Sequence, residues 1–150
     1  MTSSEQHIPV LFREAVDALN IREGGVYVDA TLGRAGHAQE IAKHIGPNGS
    51  LICFDRDPRA IELGTEIFKN DPRVTIIHSE FGRMAEKLTQ YTEFEKVDGV
   101  LMDLGVSSPQ LDQAERGFSF MRDGYLDMRM DPSSGESASD WLARVDERDL

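Results

Sequence analysis

Apolar residues recur along the first two-thirds of the chain in two alternating rhythms, one at helical spacing and one in short runs suited to strands. Leu11, Phe12, Ala15, Val16 and Leu19 follow the helical spacing, and Glu23-Gly24-Gly25 ends that element before the strand-like run Val26 to Ala30. A second helix is predicted from about Gly36 to Ile45, with Ala38, Ile41, Ala42 and Ile45 on one apolar stripe. Gly46-Pro47-Asn48-Gly49 breaks it. Leu51 to Phe54 reads as the next strand. After it, Asp57-Pro58 has the chemistry of a helix start, with a side-chain acceptor followed by a proline at the first helical position. A third strand, Val74 to His78, precedes a weaker helix around Arg83 to Gln90, and a fourth strand is predicted from about Val97 to Met102.

Strand and helix in strict alternation predict an α/β fold, a parallel sheet with helices on both faces and right-handed crossovers. In such a sheet ligands bind beyond the carboxyl ends of the strands. Polar residues stand at all four of those ends: Asp29 to His37, Asp55, Glu80-Phe81, and Asp103 onward. They are expected to converge on one crevice.

Composition narrows the function classes. The chain of 150 residues is 39% hydrophobic and 29% charged, the balance of a globular domain rather than a disordered or fibrous one. Its first residues lack the basic start and apolar run of an export signal, and no later stretch reaches membrane-spanning length, so a soluble, unexported protein is expected. Cys53 is the single cysteine; it cannot form an internal disulfide, and its setting in SLICF predicts a buried strand position. No metal site is expected. The net charge of −11 argues against a nonspecific nucleic-acid coat, which depends on Lys and Arg neutralising phosphates, but leaves room for a local RNA site.

The turn VYVDATLGRAGH carries the first candidate chemistry. Its strand ends at Asp29, and Gly33 and Gly36 permit a tight turn and close ligand approach before a helix whose start can receive an anion. Only two glycines are present, short of the full dinucleotide fingerprint. Asp55, 22 residues beyond Gly33 at the end of the second strand, is placed to accept hydrogen bonds from ribose hydroxyls. It could instead cap a helix, although Asp57 is better placed for that. S-adenosylmethionine has a ribose, an adenine and an amino-acid group but no pyrophosphate, and so suits an incomplete fingerprint. Amides near Ala35, Gly36 and His37 could receive its carboxylate, while Asp29 attracts its ammonium or orients the loop. Phe81 packs against adenine or belongs to the core.

The fourth strand leads into DGVLMDLGVSSPQLDQAERGFSFMRDGYLDMRMDP. Together with HIPVLFREAV, DATLGRAGH and FDRDP, this segment closely resembles the ribosomal RNA small subunit methyltransferase H family, over essentially the whole chain. The resemblance implies a Rossmann-like, class I S-adenosylmethionine-dependent methyltransferase, a bacterial cytoplasmic enzyme that methylates the N4 amino group of a cytidine in the decoding region of 16S ribosomal RNA. It implies cofactor contacts at Ala35, Gly36, His37, Asp55, Phe81, Asp103 and Gln110. Ala35 stands where the family usually has glycine, and Tyr125 where proline is common.

An exocyclic amino nitrogen is a poor nucleophile with a delocalised lone pair, so positioning it in line with the methyl group supplies much of the catalysis. Asp103 and the Ser107, Ser108 and Pro109 backbone are the candidates near that line, with Asp103 alternatively serving the cofactor or the loop. Methylation at cytosine carbon commonly needs a thiolate, and the Ser-Ser-Pro loop has no cysteine, which favours nitrogen. Arg116, Arg122 and Arg129 punctuate a segment with Phe118, Phe120, Met121 and Tyr125, a mixture suited to RNA phosphates and base stacking. The same segment also reads structurally, because Leu126, Met128 and Met130 alternate with Asp127, Arg129 and Asp131 like a half-buried extended run that packs its apolar residues.

Residues 1–132 are assigned to the amino-terminal part of the methyltransferase domain. Residues 133–150 are assigned to a linker and the start of a helical substrate-recognition insert, opened by the capping-box spacing Ser137 to Asp140 before Trp141, Leu142 and Val145. The family's members are roughly twice this length, so the sequence resembles an amino-terminal fragment whose missing carboxy-terminal part completes the sheet and the substrate site on 16S rRNA in the small ribosomal subunit. Two other classes stay open on the residues alone: an NAD-dependent oxidoreductase, and a noncatalytic RNA-binding or assembly module.

Overall fold

A computed structural model describes residues 11–150, so His7 to Val10 of the HIPVLFREAV segment lie outside the described residues. The chain passes from one compact unit to a second between Leu104 and Gly105.

The first unit is built around helix α1 (Phe12–Ala18), strand β1 (Val26–Asp29), α2 (Gly36–His44), β2 (Ser50–Asp55), α3 (Pro58–Phe68), β3 (Val74–His78), α4 (Met84–Tyr91) and β4 (Gly99–Leu101). A single 3-10 turn, Phe81–Arg83, leads into α4. The four strands form one sheet in the order β3-β2-β1-β4, and every pairing is parallel. The alternation of elements is therefore realised as the doubly covered parallel sheet that it predicts.

The period of two along each strand divides the core. Tyr27, Leu51 and Cys53 join Ala38, Ile41, Ala42 and Ile45 of α2 and the end of that helix on one face, with Val74, Ile76, Ile67 and Phe68 packed beside them. Val28, Ile52, Phe54 and Ile77 point to the opposite face, where Met84 and Leu88 of α4 cover them. Burial on both faces explains why β1 and β2 read as unbroken apolar runs rather than alternating ones. The first strands of the sheet are thus its most completely buried elements.

Local chemistry sets the ends of the helices. Asp57 caps α3, its Oδ1 accepting the Arg59 amide at 3.0 Å, with Pro58 at the first helical position. β4 is shorter than the predicted Val97 to Met102. Before it, Asp98 satisfies Val26 at both ends, its Oδ2 accepting the Val26 amide and its own amide donating to the Val26 carbonyl, each at 2.7 Å.

The second unit, Gly105–Leu150, contains two short helices, α5 (Ser108–Asp112) and α6 (Ala138–Leu142), and 3-10 turns at Ala114–Arg116 and Glu147–Asp149. Its middle is irregular. Asp131 organises the Pro/Ser-rich turn by accepting from the Ser133 amide and hydroxyl. The predicted capping box is present, with Ser137 Oγ accepting the Asp140 amide at 3.1 Å.

The half-buried extended reading of residues 126–131 is corrected. Leu126 and Met128 are 40% and 48% exposed, whereas Asp131 is buried and Asp127 and Arg129 are half-buried. The reason is that Asp127 and Arg129 form a two-pronged ion pair and Met128 sits at a φ of +60°, so the strand-like alternation of side chains is broken.

Candidate functional site

The carboxyl ends of β1, β2 and β4 bring three aspartates to one edge of the first unit: Asp29 and Asp55 as the last residues of β1 and β2, and Asp103 just past β4. The turn after β1 reaches sideways to its neighbours on both sides. Thr31 Oγ1 accepts the Asp103 amide at 2.8 Å, and Asp55 Oδ2 accepts the Gly33 amide at 2.8 Å. Asp55 Oδ1 accepts the Asp57 amide, also at 2.8 Å. Asp55 is thereby fixed at the mouth of the turn, while each carboxylate oxygen keeps lone-pair capacity for a further donor such as a hydroxyl. Asp57 takes the capping role, as its position before Pro58 predicts.

The turn itself differs from the expectation in one respect. Its left-handed residues are Gly33, at a φ of +51°, and Ala35, at a φ of +62°, whereas Gly36 simply begins α2. Ala35 is fully buried and precedes the helix without a side-chain cap, and the first turn of α2 carries no acidic residue. The amides at the start of α2 are therefore not matched by a local carboxylate from that helix, which leaves the helix start suited to an anionic group.

Two buried side-chain atoms in this turn have no hydrogen-bond partner: Asp29 Oδ2 and His37 Nε2. A native interior satisfies nearly all of its buried polar atoms, so such orphans call for a ligand or another explanation. Asp29 is fully buried. Burial is the main cause that pushes its carboxyl up to about 7; the negative charges of Asp55 and Asp103 add to this, while the Thr31 and Ala38 amides oppose it. His37 stacks on Phe12 of α1, ring centroids 5.0 Å apart. Burial lowers its ring pKa, with Asp103 pulling the other way. Neither the Thr31 link nor the Phe12 stack is legible from spacing, because each joins residues distant in sequence through side chains of ordinary type.

Phe81, 46% exposed and first in the 3-10 turn that follows β3, is not part of either core cluster and presents a ring surface to solvent. Cys53 is buried, and burial, followed by the charge of Asp29, raises its thiol well above the ordinary value. It is a protonated core residue rather than a nucleophile.

Within the second unit, Ser107 is the N-cap of α5, Ser108 and Pro109 are its first two residues, and Gln110 closes a capping box by accepting the Ser107 amide at 2.9 Å. Arg116 is only 4% exposed, and its Nη2 donates to the Arg129 and Met130 carbonyls at 3.2 and 2.8 Å. Arg129 is engaged with Asp127 and donates to the Gly135 carbonyl. Arg122 is exposed, with one nitrogen 3.2 Å from the Asp112 carbonyl, on a loop where Phe120 is 97% exposed. Tyr125 shares a hydrogen bond with Ser137 Oγ, a contact that proline could not make. Among the described residues there is no cluster of His, Cys, Asp and Glu suited to a metal, and no helix long and apolar enough to cross a membrane.

Comparison with known proteins adds an independent line. The model of the MraW methylase family matches residues 4–150. A ribosomal RNA small subunit methyltransferase H from Alteromonas mediterranea is 58% identical over 145 residues, covering 97% of this chain and 46% of that protein. The protein of the same name from Shewanella denitrificans is 53% identical over all 150 residues, covering 48% of its length. This chain therefore spans about half the length of the curated relatives it matches. Among solved structures, a provisionally named rRNA-methylase from Clostridium thermocellum aligns with a TM-score of 0.56 at 27% identity, over 67% of this chain and 54% of that one.

Proposed function

This chain belongs to the MraW methylase family, and from that membership we propose that it supplies the cofactor site of an enzyme that transfers methyl from S-adenosylmethionine to the N4 amino group of a cytidine in the decoding region of 16S rRNA. The observation that carries the cofactor reading is the constellation at the strand ends: an anchored Asp55, an uncapped α2 start, and a buried Asp29 with an unpartnered oxygen. These residues fit the cofactor's separate demands for hydroxyl acceptors, a carboxylate receptor and a group to meet a positive charge.

When bound, S-adenosylmethionine supplies an electrophilic methyl group on a sulfonium. Asp55 would hold the ribose hydroxyls, the amides of Gly36 and His37 the carboxylate, and Phe81 a face of the adenine; the Ala35 amide, expected to share the carboxylate, instead donates to the Leu32 carbonyl at 2.7 Å, so Ala35 would shape the turn. Asp103, beside the turn and carrying charge toward Asp29 and His37, is the first unit's candidate for orienting the amino nitrogen or the cofactor. Ser107, Ser108, Pro109 and Gln110 keep their proposed catalytic and cofactor roles through the family resemblance. Of the three arginines, Arg122 is proposed to meet RNA directly, and Arg116 and Arg129, bonded within their own unit, to hold the loop that presents it. Residues 133–150 are proposed to open a substrate-recognition insert that the rest of the longer protein completes.

Nitrogen rather than carbon as the methyl acceptor is supported by the state of Cys53, buried and protonated, since methylation at cytosine carbon commonly needs a thiolate. Calorimetric titration of the chain with S-adenosylmethionine, its demethylated product S-adenosylhomocysteine, and NAD tests the cofactor assignment. Binding of the first two and loss on changing Asp55 is expected. Binding of NAD alone would reject it, and RNA binding indifferent to Asp55 and the turn would favour a noncatalytic module.

A further inference from the structure

We propose that Asp29 is a proton-exchange residue of this pocket, holding a proton while no cationic ligand is present and giving it up to solvent when a ligand's positively charged nitrogen arrives. The inference rests on the cofactor reading above and adds to it a residue and a linkage.

The geometry comes first. Asp29 ends the central strand β1, in register with Cys53 of β2 on one side and Leu101 of β4 on the other. Its Oδ1 accepts the Thr31 amide at 3.0 Å; the Ala38 amide also faces the carboxyl, but Oδ2 has no donor at hydrogen-bond geometry. The groups that face it are a thiol on β2, which burial keeps protonated, the carboxylates of Asp55 at the end of β2 and Asp103 just past β4, and the Thr31 and Ala38 amides. An ionised Asp29 would be a third negative charge at one sheet edge, with an oxygen out of water and without a donor. That state is costly. A proton on the carboxyl relieves it, and so does a cation.

The proton balance is simple. In the empty pocket the O–H bond of Asp29 is intact; on binding it breaks, the proton passes to buffer, and the carboxylate pairs with the ligand's ammonium. Because burial holds the carboxyl up to about 7, the exchange falls within the range where proteins are ordinarily handled.

S-adenosylhomocysteine is the probe, because it carries the ammonium without the sulfonium. Its binding to the wild-type chain is measured calorimetrically at pH 6, 7 and 8 in buffers of different ionisation enthalpy, which counts protons released. Close to one proton released at pH 6 and close to none at pH 8 is expected, with affinity rising about tenfold per pH unit below 7 and levelling above it. Asp29→Asn should bind with a flat pH profile and release no proton. Binding by the wild-type chain with no proton release at pH 6 overturns the exchange while leaving the cofactor reading intact. Failure of S-adenosylhomocysteine to bind at every pH overturns both.

Discussion

Ala35 shows how one residue can carry opposing terms. Its left-handed backbone costs an alanine roughly 1–2 kcal/mol, yet its methyl is fully buried in the core of the first unit, worth about 0.8 kcal/mol, and glycine would add unfolded-state entropy of about 0.4–1 kcal/mol. Ala35→Gly is therefore expected to shift the urea unfolding free energy by less than about 1 kcal/mol. A larger loss would mean that the buried methyl outweighs the strain. Asp55→Ala removes the acceptor for both the Gly33 and Asp57 amides, so S-adenosylmethionine affinity should fall at least about tenfold, the equivalent of one charge-assisted hydrogen bond. Asp55 was legible in the sequence because its spacing from Gly33 is set by one strand-helix-strand repeat. The orphaned oxygen of Asp29 was not, since whether a buried carboxylate finds donors depends on three strands meeting, a property no local pattern encodes. Arg116 illustrates the same limit: an arginine beside aromatics reads as a surface contact, and only the folded loop shows its guanidinium turned in on the Arg129 and Met130 carbonyls.

Elements whose boundaries are set by local chemistry were the most readable. The start of α3 follows from Asp57-Pro58, and the start of α6 from Ser137 to Asp140. Asp57→Ala should cost about 1 kcal/mol through loss of the cap on α3, seen as a lower urea midpoint with an unchanged slope. The segment between α5 and α6 was the least readable, because its backbone is shaped by glycine contacts rather than periodicity. A Cβ on Gly117, at a φ of +71°, would lie 2.6 Å from both the Tyr125 carbonyl oxygen and the Asp127 nitrogen. Neither is a flexible side chain that can move aside. Gly117→Ala should destabilise the second unit by about 2 kcal/mol or more, and faster amide hydrogen exchange confined to residues 105–150 would report it.

At the scale of the whole molecule, the titration of Asp29 becomes a slope in stability. Its folded pKa is raised, so its contribution is fully present below the ordinary carboxyl value of 3.8 and is lost as pH rises through about 7, in total about 4 kcal/mol. His37, whose ring is pushed down by burial, works with the opposite sign, favouring the folded chain as pH rises toward 6.5. Asp29→Asn isolates the first effect: its advantage in thermal midpoint over the ligand-free wild type should grow from pH 5 to pH 8. Methyl transfer to unmodified small subunits should be weak or undetectable with this chain and restored in a full-length relative, with nucleoside analysis as the readout. The order β3-β2-β1-β4 also fixes a timetable for synthesis. A chain emerging amino end first can zip β1 to β2 at once, but Gly99, which pairs with Tyr27, lies 72 residues further along. At about 5–20 residues per second this leaves one side of the buried strand β1 open for several seconds. During that interval the unpaired edge is open to mispairing, and its safety depends on how quickly translation delivers β4.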